Sequence, residues 1–263
     1  MKIAYLGIDL LISALETAHE AGHDILKIYT CPCDNRTEFN LEVTAFAQKH
    51  NIPYTTSRLT EEDLAWLKRE GCELLLCAGY YYRAPITDAF AMVNVHPAPL
   101  PSCRGSWPMP LILLGAHPCG GVTIHRMAKD FDTGDILMQA EFPINPDMDT
   151  LVSYMETASQ LTKEMLGAFL ADTARYLSCA TPQGEGRYLP LPSEDIYTIR
   201  STMTTKEADR ILRAFLGYEC IYEKDGERHE LIGGRAKQDE HPEQHPFPLV
   251  DGFITAMVTR KLA

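Results

Sequence analysis

The sequence predicts an α/β fold, a mostly parallel sheet with flanking helices, followed by a small mixed, mainly β C-terminal domain. Three observations carry this expectation. Short apolar runs alternate with segments of helical spacing through the first half of the 263 residues. One of those runs, Leu74-Leu75-Leu76-Cys77, is continuous, as in a strand buried on both faces. After Ser178 the texture changes, and the polar, turn-rich stretch 181–186 reads as a linker.

Taken in order, residues 2–6 read as a strand, 10–21 as a helix and 24–29 as a second strand. Residues 41–50 look helical and 52–54 extended. Thr60 is the expected N-cap of the next helix, since Glu61, Glu62 and Asp63 place acids in its first turn. Residues 92–95 form another buried run, and the βαβ rhythm implies a Rossmann-like sheet. Residues 121–125 and 136–142 are strand-like. Asp149 then reads as the cap of a long helix. Its stripe of Leu151, Tyr154, Ala158, Leu161, Met165 and Phe169 is read as core packing. In the small domain Thr204 and Glu207 have capping-box spacing at the start of a helix over 204–216. Residues 220–222 and 230–232 read as strands around the turn Lys224-Asp225-Gly226-Glu227, and 236–248 as a Pro-rich loop. The expected partition is 1–180 and 183–263.

Composition narrows the function. With 45% apolar and 23% charged residues the chain is ordinary for a soluble protein. No run approaches the roughly 18 apolar residues of a membrane helix, and the first residues lack a signal-peptide pattern. A cytoplasmic protein with no membrane partner is expected. The eight cysteines show no framework spacing, so they read as thiols of a reducing compartment. Cys31 and Cys33 lack the two intervening residues of a zinc knuckle, and no metal is expected. Net charge is −12, with 13 basic against 22 acidic residues up to Ala180 and 11 against 14 beyond it. That balance disfavours a nucleic-acid partner, whose phosphates reward a positive surface. A homodimer is left open.

The informative stretch is Asn94-Val95-His96-Pro97-Ala98-Pro99-Leu100-Pro101-Ser102-Cys103-Arg104-Gly105, which begins where a buried strand ends. Ligands of open α/β sheets bind beyond the carboxyl ends of strands. Asn94 and His96 are two apart, so they share one face of that strand. An imidazole can relay a proton near neutral pH, and an amide can donate to an oxygen that gains charge during acyl transfer. Each residue alone is as well read as a loop or strand-end residue. A second segment, Asp130-Phe131-Asp132-Thr133-Gly134-Asp135, adds two carboxylates in a tight turn, and a carboxylate beside an imidazole holds it in one orientation.

Together, Asn94-x-His96-Pro97-x-x-Leu100-Pro101-x-x-Arg104-Gly105, then Gly121-Val122-Thr123-Ile124-His125, then Asp132-Thr133-Gly134-Asp135-Ile136-Leu137 resemble the folate-dependent formyltransferase family. That family includes methionyl-tRNA, glycinamide ribonucleotide and sugar-nucleotide N-formyltransferases. The resemblance implies a catalytic trio of Asn94, His96 and Asp132. It implies 10-formyltetrahydrofolate as cosubstrate, held by the loop with Gly79, Tyr80, Tyr81, Tyr82 and Ile86 and by Asp130 and Phe131. Three consecutive tyrosines alternate faces, so only some of them face a ligand. The resemblance also implies a cis bond between Leu100 and Pro101. Arg104, next to the end of the strand, is expected near the acceptor side of the cleft, with tying down its own loop as the alternative. The chain departs from the family pattern at Ala98-Pro99, where Ser-Leu is usual, and at Cys103, where an aromatic is usual. Those positions border the acceptor. Cys103 is read as a passive small residue.

For the acceptor, Gly7-Ile8-Asp9 puts an acid where glycinamide ribonucleotide enzymes have small phosphate-binding residues. The region 31–51, where tRNA enzymes resemble one another in a basic insertion, holds only Arg36 and Lys49 against Asp34, Glu38 and Glu42. A small-molecule amine is left, with a nucleotide-linked amino sugar the family's commonest. Methionyl-tRNA and another small amine such as hydroxyornithine are the alternatives. A formyltetrahydrofolate hydrolase is the reading from a different class.

Overall fold

A computed structural model describes residues 1–35 and 39–262. Arg36 and Glu38, used above in weighing the 31–51 region, lie outside the described residues. In chain order the elements are β1 Lys2–Gly7, α1 Ile12–Glu20, β2 Asp24–Tyr29, α2 Leu41–Lys49, β3 Tyr54–Thr55, α3 Glu61–Arg69, β4 Leu74–Ala78 and β5 Ala91–His96. They continue with α4 Met109–Leu111, β6 Cys119–Arg126, β7 Ile136–Pro143, α5 Leu151–Ala171 and α6 Thr173–Ser178. The last are β8 Thr198–Arg200, α7 Thr205–Ala214, β9 Glu219–Lys224, β10 Glu227–Gln238, β11 Pro248–Leu249 and β12 Gly252–Leu262.

The chain forms two compact units. The first comprises Met1–Ser106, Gly120–Phe142 and Met155–Tyr188, and the second Trp107–Cys119, Pro143–Tyr154 and Leu189–Ala263. The first unit is built on a seven-stranded sheet of order β3-β2-β1-β4-β5-β6-β7. Pairs β2–β3, β1–β2, β1–β4 and β4–β5 are parallel, while β5–β6 is antiparallel. Every residue of β4 is buried, which is why its sequence is a continuous apolar run. One face packs a core that includes Leu6, Tyr29, Leu64, Leu67, Leu75 and Cys77. Parallel register brings the carboxyl ends of three strands to one edge, with Gly7 opposite Ala78 and Cys77 opposite Asn94. The approach is close: a Cβ on Gly7 would collide with the Ala78 carbonyl oxygen.

The helix ends follow from local chemistry. Thr60 accepts the Asp63 N–H at 3.2 Å while Asp63 accepts the Thr60 N–H at 3.1 Å, a full capping box. Asp149 does not cap the long helix as the sequence suggested. Its carboxylate accepts the Asn145 N–H at 2.6 Å, and Thr150 Oγ1 accepts the Ser153 N–H at 3.0 Å instead. A hydroxyl next to the first helical residue reaches the third N–H, and an acid one residue earlier does not.

The stretch read as a linker is pinned to the first unit. Ile136 and Thr181 exchange backbone hydrogen bonds at 2.8 Å, and Arg104 pairs with Tyr188 in a parallel bridge.

The second unit carries a five-stranded sheet of order β11-β12-β10-β9-β8. Helix α7 begins at a Thr204–Glu207 capping box, as its sequence predicts. The hairpin β9–β10 turns at Asp225 and Gly226, both at positive φ. β10 extends to Gln238, into the segment read as loop, because it is paired along its length with β12, a strand the sequence did not announce. Trp107 packs edge-on to Phe215, ring centroids 5.6 Å apart, and tilted against Tyr218 at 4.7 Å. Among the described residues no helix is long and apolar enough to cross a membrane.

Candidate active site

The end of β5 lies between β4 and the antiparallel β6, whose register sets His125 opposite Asn94 and Thr123 opposite His96. Directly opposed residues of an antiparallel pair share a face. Asn94, His96, Thr123 and His125 therefore project from one side of the sheet. The turn before β7 brings Asp132 to the same place. Asp132 sits at φ 55°, a left-handed conformation that aspartate tolerates better than most residues. Gly134 allows the turn to close, since a Cβ there would collide with the Arg126 carbonyl oxygen.

Asp132 Oδ1 is the hub. It lies 3.7 Å from His96 Nδ1, 3.5 Å from His125 Nε2 and 3.5 Å from Asn94 Nδ2. Its Oδ2 accepts the Gly105 N–H at 2.9 Å. The carbonyl contacts set the proton positions, because a carbonyl only accepts. His96 Nε2 donates to the Cys103 carbonyl at 2.8 Å, so Nδ1 is the nitrogen turned toward Asp132. His125 Nδ1 donates to the Arg126 carbonyl at 2.8 Å, which leaves Nε2 to accept from the Asn94 amide at 3.0 Å. Asn94 thus points its NH₂ group into the cluster.

The cluster is nearly dry: the side chains of His96, His125 and Asp132 are 6%, 2% and 9% exposed. Burial by itself raises the carboxyl of Asp132. The charge that His96 and His125 carry when protonated, and the Gly105 N–H, outweigh it and hold Asp132 well below the usual carboxylate range. A fixed anion therefore faces two imidazoles and one amide.

Of the residues the sequence singled out, Asn94, His96 and Asp132 are brought into contact. Sequence reading missed three of their partners. His125 was quoted only within a strand motif, although its period-two relation to Thr123 already put both on one face. The Cys103 carbonyl and the Gly105 N–H are backbone groups that residue type does not reveal. The Leu100–Pro101 bond is cis, as expected. Arg104 is engaged locally. Its guanidinium donates to Gln183 Oε1 at 2.9 and 3.1 Å and to the Gly184 carbonyl at 3.1 Å, which ties the 98–105 loop to the returning chain.

The loop after β4 follows directly from Gly79, at φ 77°. Tyr80 is buried and its hydroxyl accepts the Leu59 N–H at 2.9 Å; burial pushes its phenol up to about 12. Tyr81, Ile86 and Phe131 are exposed. Tyr82 lies under the Arg58 guanidinium, 4.2 Å from the ring centroid. Arg83 joins the two predicted ligand loops, 3.5 Å from the Asp130 carboxylate and 5.3 Å from the Phe131 ring centroid.

Residues 27–170 match the family described as formyl transferase. The chain belongs to the formyl transferase family. This is a family of group-transfer enzymes, and the match covers the whole cluster from Asn94 to Asp132. A methionyl-tRNA formyltransferase of Lactobacillus gasseri is 31% identical over 208 residues, 74% of this chain and 66% of that protein. A sugar N-formyltransferase from Shewanella sp FDAARGOS_354 superposes with a TM-score of 0.68 at 19% identity, covering 91% of this chain and 99% of that one. WlaRD, a sugar 3N-formyl transferase determined in the presence of dTDP and 5-N-formyl-THF, gives a TM-score of 0.62 at 17% identity, covering 100% and 99%. At those identities the structural likeness shows a shared fold.

Proposed function

We propose that the protein transfers a formyl group from 10-formyltetrahydrofolate to the amine of a small acceptor, a nucleotide-linked amino sugar. The observation that carries the transfer chemistry is the buried Asn94–His96–Asp132 cluster at the carboxyl end of β5. The folate supplies an activated formyl group on nitrogen. The residues that would hold it are Gly79, Tyr81, Tyr82, Ile86, Asp130 and Phe131. Their loops are joined by Arg83 and present exposed apolar side chains, a surface suited to a flat heterocycle. Tyr80 would support this loop from the core.

Each member of the trio has a role that its contacts suggest. The Asn94 proton aimed at Asp132 over 3.5 Å is held at the limit of hydrogen bonding, so it is available to an oxygen that gains negative charge as the amine adds. His96 is fixed through Nε2, and its Nδ1 faces Asp132. This pair takes up the proton leaving the acceptor amine and releases it to the departing nitrogen. Exclusion of water from the pair strengthens these interactions. Holding both reactants beside it supplies much of the rate. Residues 1–180 would form the domain that performs this reaction.

The amino-sugar acceptor is favoured by the acidic balance of both halves of the chain. The second reading is methionyl-tRNA, favoured by the 31% identity to such an enzyme. The test is to offer purified protein the formyl donor with a panel of nucleotide amino sugars, hydroxyornithine and charged initiator tRNA, and to read products by mass spectrometry. The reading predicts an N-formylated amino sugar at a rate insensitive to salt. Efficient formylation of the tRNA that falls steeply with salt would replace it.

A further inference from the structure

The loop that carries the Cys103 carbonyl and the Gly105 N–H is itself held by two side chains to which the reaction assigns no part. Thr123, fully buried on β6, uses all of its hydroxyl. It donates to the Ala98 carbonyl at 2.8 Å, accepts the Leu100 N–H at 3.3 Å and accepts from Gln139 Nε2 at 2.9 Å. Gln139, on β7, gives its second amide proton to the Leu100 carbonyl at 2.7 Å. The two side chains thus grip three polar backbone groups of residues 98–100 and complete one another's hydrogen bonding. A separate feature seats the same loop: a Cβ on Gly121 would lie 2.9 Å from the Ala140 carbonyl oxygen and 3.1 Å from Pro99 Cγ, so the proline ring rests against bare backbone.

What this grip controls lies a few residues on. The Cys103 N–H donates to the Pro99 carbonyl at 2.9 Å, and the Arg104 N–H, in the same peptide as the Cys103 carbonyl, donates to the Arg187 carbonyl at 3.0 Å; the clamped residues thus seat one side of the turn that presents the Cys103 carbonyl. The Cys103 carbonyl holds the His96 Nε2 proton, and the Gly105 N–H holds Asp132. We propose that Thr123 and Gln139 are positioning residues for group transfer: they fix the 98–105 loop so that its backbone sets the His96 ring with Nε2 protonated and Nδ1 toward Asp132. The proposal rests on the role given to His96 above. Without the Cys103 acceptor the two ring nitrogens are free to exchange the proton, and His96 no longer presents one defined nitrogen to the carboxylate.

The experiment compares the full chain with Thr123→Ser, Thr123→Val and Gln139→Met. Ring ¹⁵N–¹H correlations of His96 are recorded alongside kcat, KM and the pH dependence of kcat. Thr123→Val and Gln139→Met should lower kcat by about tenfold or more with both KM values within roughly threefold, the pattern of lost positioning rather than lost binding. Both should also move the pH profile and shift the His96 ring signals from the Nε2–H form toward a tautomer mixture. Thr123→Ser, which keeps the hydroxyl, should behave as the parent. A Thr123→Val protein that keeps the parental His96 signals and pH profile overturns the proposal, even if its melting temperature falls. Should Gln139→Met fail to fold, the Ser and Val pair at 123 decides. A parent that shows no formyl transfer would sink the proposed function, while the ring signals would still decide the positioning claim.

Discussion

The cluster at the end of β5 and the rim formed by residues 79–86 and 130–131 are built in opposite ways. In the cluster, His96, His125 and Asp132 are buried, and their contacts run to one another and to backbone groups. On the rim, Tyr81, Ile86 and Phe131 are exposed, and the groups that tie it together are the mobile-stemmed cations Arg58 and Arg83 lying on aromatic faces. The contrast fits the two tasks proposed for these regions. Proton transfer and charge stabilisation need groups fixed within fractions of an ångström in a dry setting. Gripping a flat ligand needs apolar area that becomes buried only when the ligand arrives. Mutations in the cluster should therefore act on turnover, and mutations on the rim on affinity.

The largest effects belong to the cluster. His96→Ala and Asp132→Ala should each lower kcat by roughly 100-fold or more with the fold retained. Turnover assays with circular dichroism as a control for folding check this, and near-parental kcat in either variant would erase the distinction between the two regions. Gly134→Ala comes next. The added methyl cannot coexist with the Arg126 carbonyl, so the turn carrying Asp132 must shift. A destabilisation of roughly 2 kcal/mol or more is expected, together with loss of activity; a denaturant titration beside the assay measures both.

The cluster should also show in the pH dependence of stability. Asp132 is held below its unfolded value, which is about 3.9. Its contribution is therefore fully present above about pH 4–5 and is lost as pH falls through the native value. The stability difference between the parent and Asp132→Asn should shrink as pH falls below about 4–5. A difference that grows toward acid would mean that the carboxylate is not stabilised by its neighbours. The smallest effect is on the rim. Arg83→Ala should raise KM for the formyl donor by about three- to tenfold and leave kcat within about twofold, which steady-state kinetics can separate. A fall in kcat alone would show that the rim and the cluster are one device.

The same contrast explains what the sequence made legible. The parallel strands, the Thr60 and Thr204 caps and the Asn94–His96 pair all depend on spacing over a few residues, and spacing is printed in the chain. The partners of the trio depend on register between strands and on backbone groups. His125 meets Asn94 only because β6 runs antiparallel to β5, and the Cys103 carbonyl would look the same for any residue type. Arg104 shows the converse. Its charge and place left two readings open, a contact on the acceptor side and a tie for its own loop, and the hydrogen bonds to Gln183 and Gly184 lie in a segment whose composition read as a linker. Strand β12 escaped notice because much of it is exposed, so its sequence shows no strong alternation. The cis bond at Pro101 came through the resemblance, since one X–Pro pair reads like another.

The central claim is that the buried cluster carries a formyl carbon from folate nitrogen to an acceptor amine. The most direct measurement follows that carbon, with formyl-¹³C-labelled 10-formyltetrahydrofolate, an accepted amino-sugar nucleotide and the parent or Asp132→Asn protein under single-turnover conditions. The account predicts label in the N-formyl amide of the sugar, one tetrahydrofolate released per amide formed, and a rate at least about 100-fold lower in the variant. Label recovered as formate at an acceptor-independent rate, or equal rates in the two proteins, would contradict it.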